Sequence, residues 1–261
     1  MLPRFFTRID KLLAIYGAVA AASFAVTLLF AHQSGEKGPP PPAYAYAQIT
    51  APNGVELHVA KTKPERIALK AVKGNIMELS EFGINGGFFW QGNLLSIAVM
   101  NDQPVKGAQG EYGSGWFNTG HKRGTLVWDG AARQFTVQQA SDAAELKVAD
   151  RSRYWAQGGI SMSLQNEADW RKLAKEENMP ALNEARMRTG IVYDKSNAVW
   201  LVVTPTPCTG EQFRAAIAGS LGRSGLVDGV FLDGNGSSQL KVAQASLPGD
   251  KRQIYQMIAL H

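Results

Sequence analysis

Cysteine and histidine are both scarce in this chain of 261 residues. Cys208 is the only cysteine, so neither an intramolecular disulfide bond nor a cysteine-based metal site can form. The four histidines include no His-Glu-x-x-His sequence and no paired spacing that would support zinc. His58 and His121 have no motif around them that fits a serine triad, and a Gly-x-Ser-x-Gly sequence is missing. We therefore expect no metal and no cofactor.

Positive charge is in slight excess but is not clustered. The formal net charge is +5, and three basic residues against one acidic residue in the first 11 positions supply +2 of it. A nucleic-acid-binding protein needs a clustered basic face, so we expect no nucleic-acid partner. The glycine-rich run from Gly107 to Gly115 has neither dinucleotide spacing nor a Gly-Lys-Ser/Thr phosphate loop, which excludes a nucleotide site of either type.

One apolar run near the N-terminus has the length of a membrane span. Leu12 to Ala31 carry no charge, and about 20 apolar residues are needed to cross the hydrocarbon core as a helix. Secretory signal peptides have a shorter apolar region, and Phe30-Ala31-His32-Gln33 is a poor cleavage site. We predict an uncleaved transmembrane signal anchor over residues 12–31, with a cleaved signal as the alternative.

The flanks of this run predict its orientation. Basic residues precede it and only Lys37 follows nearby, so the positive-inside rule places residues 1–11 in the cytoplasm. The rest of the chain would lie on the periplasmic side of the inner membrane, attached through the membrane helix. Residues 32–46 include four consecutive prolines and are predicted to be a linker, followed by a globular domain over residues 47–261.

Most of the globular part has the pattern of strands. Alternation of polar and apolar residues predicts half-exposed strands near 55–59 and 67–72, with His58 on the exposed phase of the first. Two further strands, 125–129 and 135–137, flank Gly130 and predict a hairpin. The fold class predicted is α+β, with a mixed β-sheet core and a few helices.

Two segments have helical spacing. Residues 166–177 carry an apolar stripe, and Asn166 with Asp169 resembles a cap. Thr209 and Gln212 form a capping box before a helix over Gly210–Leu221. This second helix lies between two apolar strands, which predicts a crossover connection and a parallel strand pair at the centre of the domain.

The segment Val230–Ser238 is the strongest candidate site. Its apolar start predicts a strand buried on both faces, which brings Asp233 to the strand's end, where functional groups concentrate. Gly234-Asn235-Gly236 permits backbone angles that most residues avoid, and two serine hydroxyls follow. An ordinary hairpin turn at Asp-Gly or Asn-Gly is the alternative.

A second candidate is Asn85-Gly86-Gly87, which precedes three aromatic residues. Asn85 can project an amide, and the two glycines can let a ligand approach the backbone. Phe88, Phe89 and Trp90 would then form the wall of a pocket. A hairpin turn with core aromatics fits the same residues.

Arg186 and Arg188 fall on one face of an extended segment, because side chains alternate every two residues. An arginine fork matches phosphate oxygens in a bidentate manner. Arg188 is the candidate phosphate ligand. Arg186 is either a second phosphate contact or a solvated charge.

Four of these segments resemble, in their order along the chain, the phosphodiester glycosidase family: Asn85-Gly-Gly-Phe-Phe, Arg188-Thr-Gly, the helix led by Thr209, and Leu232-Asp-Gly-Asn-Gly-Ser-Ser. The resemblance covers residues 47–261. It implies an α+β domain and cleavage of the bond between a sugar's anomeric carbon and a phosphodiester. Asn235 stands where the family usually has glycine, and asparagine tolerates the left-handed backbone better than most residues.

The resemblance assigns roles to residues of this chain. Asp233 would be catalytic, as nucleophile, as base for water, or as stabiliser of an oxocarbenium-like transition state, and Arg188 would neutralise the leaving phosphate. The residues expected to bind substrate are Asn85, Gly86, Gly87, Thr189, Gly234, Asn235, Gly236, Ser237 and Ser238.

A second carboxylate is harder to find. Asp228 precedes Asp233 by five residues, which puts it about 16 Å away along a strand and at the opposite end. Glu81, Glu111 and Glu184 lie near other motif segments and remain possible partners. Cys208 precedes a helix N-terminus and would be a nucleophile if its thiolate were stabilised, although an unreactive residue in a Pro-rich loop is the simpler interpretation.

We therefore expect a membrane-anchored hydrolase that cleaves a sugar-1-phosphodiester in envelope glycans or glycoconjugates. The first alternative is a non-catalytic protein that binds envelope glycans on the same fold. The second is a glycosyl transferase that passes the sugar to another hydroxyl.

Overall fold

The structure is a computed structural model that describes residues 43–261. The predicted cytoplasmic N-terminus, the anchor over residues 12–31 and most of the linker lie outside the described residues. Within 43–261, no helix is both long and apolar enough to cross a membrane. The first strand already begins at Ala45, so the last two residues of the predicted linker belong to a strand.

The described chain forms eighteen strands and two α-helices. In chain order they are β1 (Ala45–Thr50), β2 (Glu56–Thr62), β3 (Ile67–Gly74), β4 (Phe82–Asn85), β5 (Phe89–Trp90), β6 (Asn93–Leu94), β7 (Ala98–Met100), β8 (Gln103–Pro104), β9 (Arg123–Asp129), β10 (Gln134–Ala140), β11 (Tyr154–Gly158), β12 (Ile160–Ser161), α1 (Trp170–Glu176), β13 (Arg186–Asp194), β14 (Val199–Cys208), α2 (Gly210–Leu221), β15 (Leu226–Phe231), β16 (Leu240–Val242), β17 (Ala245–Leu247) and β18 (Ile254–Leu260).

The strands form three larger sheets and one small hairpin. Six strands follow the order β1-β2-β14-β13-β15-β12, five follow β10-β9-β11-β7-β8, and five follow β17-β16-β4-β18-β3. β5 and β6 pair separately. The predicted α+β class, a β-sheet core with a few helices, is confirmed, but the core is not the mixed sheet that was predicted, because all ladders between named strands of the described chain are antiparallel.

The predicted parallel pair is wrong, although the crossover forms. α2 carries the chain from β14 to β15, but β13 lies between these strands and pairs antiparallel with both. A short turn joins β13 to β14, so this hairpin closes locally and leaves the other edge of β13 for β15. The strands that flank β13 therefore run in the same direction without sharing hydrogen bonds.

The strand before Asp233 is held between two hydrophobic cores. In β15, Val230 belongs to one core and Phe231 to the other, because consecutive side chains point to opposite faces of a sheet. On one side Phe231 packs against Phe213 of α2 with ring centroids 6.1 Å apart. Burial of such a side chain contributes about 1.5–3 kcal/mol, so the end of β15 is a rigid support.

Several local predictions have clear outcomes. The capping box of Thr209 and Gln212 and the β9–β10 hairpin are confirmed. The first helix is shorter than predicted and begins after Asp169, whose amide donates to the Asn166 side chain in a preceding turn. His58 is buried rather than exposed, because β2 is an interior strand between β1 and β14.

Candidate functional site

A cleft of about 270 Å³ opens where β15 ends. Two carboxylates and three arginines lie in its wall, together with aromatic, apolar and loop residues. The residues that line it are Phe88, Met179, Pro180, Ala181, Glu184, Arg186, Arg188, Thr189, Phe231, Leu232, Asp233, Gly234, Asn235 and Arg252. The structure thus brings Asp233, Arg188 and Thr189 of the predicted site into one cavity.

Asp233 is fixed through its backbone on both sides. Its amide donates to the carbonyl oxygen of Gly86 over 3.2 Å, and its own carbonyl accepts from Asn85 Nδ2 over 2.8 Å. The amide of Gly234 donates to its carboxylate Oδ1 over 3.0 Å. The carboxyl group is therefore presented to the cleft in one orientation.

The surroundings of Asp233 favour its protonated form. Burial raises the pKa of the Asp233 carboxyl to about 6, and the Gly234 amide and the charge of Arg252 offset part of that rise. A carboxyl with a pKa near neutrality exchanges protons within the physiological range, as a catalytic acid or base requires. Such a shift in a cleft marks Asp233 as a functional candidate.

Asn85 lies behind the cleft rather than in its wall. Its Oδ1 accepts from the Thr189 hydroxyl over 2.9 Å and from the Gln239 amide over 3.0 Å, while its Nδ2 donates to the carbonyls of Asp233 and Gly86. The side chain is 1% exposed. The prediction that Asn85 contacts substrate is therefore corrected: it positions Thr189 and Asp233 instead.

The two glycines after Asn85 make room for protein side chains rather than for a ligand. A Cβ atom at Gly86 would collide with the side chain of Gln256, and one at Gly87 would collide with Ser96 and Gln157. The Gly87 amide donates to Gln256 Oε1 over 2.6 Å. The prediction that a ligand approaches this backbone is thus wrong, because protein side chains fill the space beside both glycines.

Only the first of the three aromatics after these glycines faces the cleft. Phe88 lines it, and the Arg123 guanidinium lies 5.4 Å from the Phe88 ring. Phe89 packs against Tyr255 with ring centroids 5.0 Å apart, and Trp90 is exposed outside the lining residues. The predicted aromatic wall is therefore reduced to one residue.

Arg188 is bound to the protein more fully than a phosphate ligand would be. Its Nε donates to the carbonyl of Cys208 over 3.1 Å, and its terminal nitrogens donate to the carbonyls of Pro180, Ala181 and Glu184. A guanidinium has five N–H groups, so four of them are used here. Arg188 borders the cleft, but its guanidinium is not free to bind phosphate as predicted. Instead it links the 180–184 segment to β14 through hydrogen bonds.

Two other arginines have exposed guanidinium groups in the cleft. Arg186 pairs with Glu184 at 2.5 Å, and Arg252 pairs with Asp250 at 2.5 Å. The charge of Arg252 also lowers the pKa of Asp233. Sequence analysis missed Arg252, because it lies in the loop between β17 and β18 with no motif around it.

The glycine-serine segment after Asp233 forms a tight 3-10 turn over Asn235–Ser237. Asn235 has φ of 54°, so asparagine adopts the left-handed backbone that was predicted for it. Only Gly234 and Asn235 of this turn line the cleft. Ser237 and Ser238 are buried with hydroxyls that have no partner within residues 43–261, so their predicted contact with substrate is not made through the cleft surface.

Among the three glutamates considered as a second carboxylate, Glu184 alone lines the cleft. Glu81 pairs with Lys70, whose hydrogen bond is the main reason that its pKa falls to about 2. Glu111 accepts from the Ala108 amide within its own loop. Asp228 is absent from the lining residues, as its strand position predicts, and accepts from the Leu164 amide.

Cys208 is buried, and this burial raises the pKa of its thiol to about 11. A thiol with that pKa remains protonated at neutral pH, whereas a nucleophilic cysteine requires a thiolate. The alternative of a reactive Cys208 is therefore wrong on physical grounds.

The fold and the cleft define a class of protein: an α+β domain of antiparallel sheets that holds a half-buried carboxyl group among arginine side chains. The sequence profile of phosphodiester glycosidases matches residues 80–261. The chain belongs to that family.

Solved structures share this fold at low sequence identity. The zebrafish N-acetylglucosamine-1-phosphodiester alpha-N-acetylglucosaminidase catalytic domain, auto-inhibited by its pro-peptide, matches with a TM-score of 0.60 and 14% identity over 86% of this chain and 85% of that one. A hypothetical protein from Synechocystis matches with a TM-score of 0.50 and 13% identity over 85% of this chain and 64% of that one. No curated protein matches at a significant level.

Proposed function

We propose that this protein is a hydrolase that cleaves the bond between the anomeric carbon of a sugar and a phosphodiester. The observation that carries the proposal is Asp233, a carboxyl group with a pKa of about 6 at the end of a rigid strand, in a cleft that three arginines border. Family membership supports it, and so does the name of the zebrafish relative, which specifies a sugar-1-phosphodiester.

The charges of the cleft suit a phosphate leaving group. Ordinary glycosidases need one carboxylic acid to protonate the leaving oxygen and a second carboxylate as nucleophile or base. A phosphate monoester is a stable anion and needs charge neutralisation more than a proton. Exposed guanidinium groups at Arg186 and Arg252 supply that neutralisation in this proposal, while Arg188 holds the wall of the cleft in place.

Asp233 in its ionised form then attacks the anomeric carbon or removes a proton from a water molecule that does so. In the overall reaction the water oxygen bonds to the anomeric carbon, the bond from that carbon to the phosphate oxygen breaks, and the phosphate monoester leaves with the electron pair. Glu184 is the second carboxylate within the cleft, and its pairing with Arg186 keeps that arginine oriented.

We further propose that the domain acts outside the inner membrane on glycans or glycoconjugates of the envelope. The support for this is the uncharged run over residues 12–31 and the basic residues before it. Membrane fractionation and protease protection of intact spheroplasts would test it, since a cytoplasmic domain would survive protease outside the cell.

The test of the activity uses the purified full chain in detergent with a panel of glycosyl phosphodiesters. We expect release of free sugar, and we expect Asp233→Asn to lower kcat by a factor of at least about 10². Asp228→Asn is the matched control, because Asp228 is also buried with a raised pKa but does not line the cleft. Absence of product across the panel, or full activity in Asp233→Asn, would refute the proposal.

The glycan-binding alternative was motivated by asparagine at position 235. Asn235 itself adopts the left-handed backbone angle, so the replacement of glycine gives no reason to expect a protein without catalytic activity. The transferase alternative is decided by products: with an added sugar acceptor, a transferase forms a new glycoside, whereas a hydrolase forms free sugar.

A further inference from the structure

We propose that a second pocket next to the catalytic cleft is a saccharide-binding subsite, which binds additional sugar residues of an extended substrate. The inference rests on the proposed function and names the substrate class more closely. The pocket is formed by the loop before β9 and by the start of the segment after β10. The residues that carry the argument are Tyr112, Phe117, Thr119, His121, Lys122 and Ser141.

The pocket has the size and chemistry that a sugar requires. Its volume is about 370 Å³, and ligand sites commonly occupy about 300–1,000 Å³. Tyr112 is 57% exposed, and within residues 43–261 only Trp90 and Phe82 are other large hydrophobic side chains that are exposed. A tyrosine presents a flat apolar face together with a hydroxyl, and a pyranose presents C–H groups on its face and hydroxyls at its edge.

Polar groups surround this aromatic surface. Thr119, His121 and Ser141 line the pocket beside Tyr112. Lys122, which pairs with Glu145 at 3.1 Å, is the one lysine among the lining residues of this pocket, whereas three arginines line the cleft. The pocket therefore fits an uncharged saccharide with many hydroxyls better than a polyanion.

Two contacts show that the pocket adjoins the cleft. The carbonyl of Phe88, which lines the cleft, accepts from the Leu95 amide over 2.8 Å, and the carbonyl of Leu95 accepts from the Thr119 amide over 3.0 Å. From the other side, His121 Nε2 lies 3.3 Å from Asn178 Nδ2, and Met179 of the cleft wall follows Asn178. The pocket therefore lies near the cleft, and in this proposal an extended glycan reaches from the cleft into the pocket.

The loop that carries Tyr112 is held in place by backbone contacts. The Leu94 amide donates to the carbonyl of Gly113 over 3.1 Å, and the Lys106 amide donates to the carbonyl of Ser114 over 3.0 Å. A Cβ atom at Gly113, whose φ is 78°, would collide with Asn93, so the loop lies tightly against β6. Tyr112 is therefore a preformed platform, which lowers the entropic cost of binding.

The experiment compares three substrates with the purified full chain. All contain the same sugar-1-phosphodiester; the first has a methyl aglycone, the second is extended by two sugar residues at the sugar, and the third is extended by two at the aglycone. The variant is Tyr112→Ala. Phe82→Ala is the matched control, since Phe82 is an exposed aromatic of β4 that lines neither pocket.

We expect Tyr112→Ala to raise KM roughly tenfold for one of the extended substrates, because loss of one aromatic stacking surface costs about that factor in affinity. In Tyr112→Ala, kcat and KM for the methyl substrate should be unchanged. Phe82→Ala should leave kcat and KM unchanged for all three substrates. Equal effects of Tyr112→Ala on all three substrates, or no effect on any, would overturn the inference.

A binding measurement separates this inference from the proposed function. If no substrate is cleaved, calorimetry of Asp233→Asn with a phosphate-free trisaccharide still decides the question. Binding that Tyr112→Ala weakens at least fivefold would support the subsite even though the hydrolase proposal had failed. Equal binding by all variants, with unchanged melting temperatures, would exclude it.

Discussion

The environment of Asp233 favours the protonated carboxyl group, whereas the proposed chemistry requires the ionised carboxylate. Burial disfavours the charged carboxylate and raises the pKa to about 6, while attack on an anomeric carbon needs that charge. The pH dependence of both activity and stability should therefore report on this one group, in opposite directions.

The first prediction concerns activity. For cleavage of a glycosyl phosphodiester, kcat/KM should rise with pH and level off above an apparent pKa of about 6, because Asp233 acts in its ionised form. The substrate keeps its single negative charge throughout this range, so it adds no second inflection to the pH profile of kcat/KM. A profile that instead falls as pH increases through 6 would assign Asp233 the role of an acid.

The second prediction concerns the pH at which kcat/KM rises, which is the rising limb of the pH profile. Arg252→Gln removes a positive charge that lowers the pKa of Asp233, so the limb should move to higher pH and kcat should fall about tenfold. Arg252→Lys keeps the charge and is the matched control, with a limb near its original position. An unchanged profile in Arg252→Gln would mean that this charge does not act on Asp233.

The third prediction concerns stability. A carboxyl group with a raised folded pKa stabilises the native state below its unfolded pKa, and this contribution is lost as pH rises through about 6. Asp233→Asn avoids that loss, so at pH 8 it should exceed the parent protein in free energy of unfolding by on the order of 2–3 kcal/mol. Urea unfolding at pH 8 and pH 4.5 checks this, since the difference should shrink at the lower pH.

At the scale of elements, the end of β4 and the end of β15 form one unit. Asn85 bonds to Asp233 and Thr189, and Gln256 of β18 fills the space beside Gly86. Three strands that are distant in sequence thus hold a single loop. The conformational freedom of Asp233 is therefore limited by a hydrogen bond from Asn85 of β4, which lies 148 positions away in the sequence.

This gives the fourth prediction. Gly86→Ala should destabilise the protein by about 1–3 kcal/mol, because its Cβ would overlap the end of the Gln256 side chain. Adding Gln256→Ala removes the overlap and should recover part of the loss in the melting temperature. Gly222→Ala is the control, because no atom lies within 4 Å of its missing Cβ and φ is −54°, so its stability should hardly change.

The sequence predicted elements wherever the signal was local. The capping box at Thr209 and the hairpin across Gly130 depend on neighbouring residues, and both are confirmed. The insertion of β13 between β14 and β15 depends on which edges remain free after the hairpin closes, and no single segment encodes that. His58 was misjudged for a similar reason, because β1 and a Tyr46 contact cover it.

The candidate site was predictable in part. Asp233 follows an apolar strand and precedes glycines, so its place at a strand end is encoded locally, as is the left-handed angle at Asn235. The partners of Arg188 and Asn85 are not encoded in this way, since backbone carbonyls of other segments use up their donors. Arg252 enters the cleft only because the β17–β18 loop packs on the turn after Asp233, where the Asp250 amide donates to the Gly236 carbonyl.

At the scale of the whole molecule, Ala43–His261 form one compact unit. The fifth prediction is that a chain that begins at Ala43 folds and cleaves a small glycosyl phosphodiester as well as the full chain does. Circular dichroism and product release check it; loss of folding would mean that earlier residues complete the domain.

The position of β18 has a consequence for synthesis. This strand lies between β3 and β4, two of the earliest described strands, and the amide of His261 donates to the Arg66 carbonyl. Until β18 has been synthesised, the edges of β3 and β4 that it joins have no partner strand, and pairing across such a sequence separation is slow. This sheet of the nascent chain therefore stays open, and needs protection from aggregation, until β18 has left the ribosome.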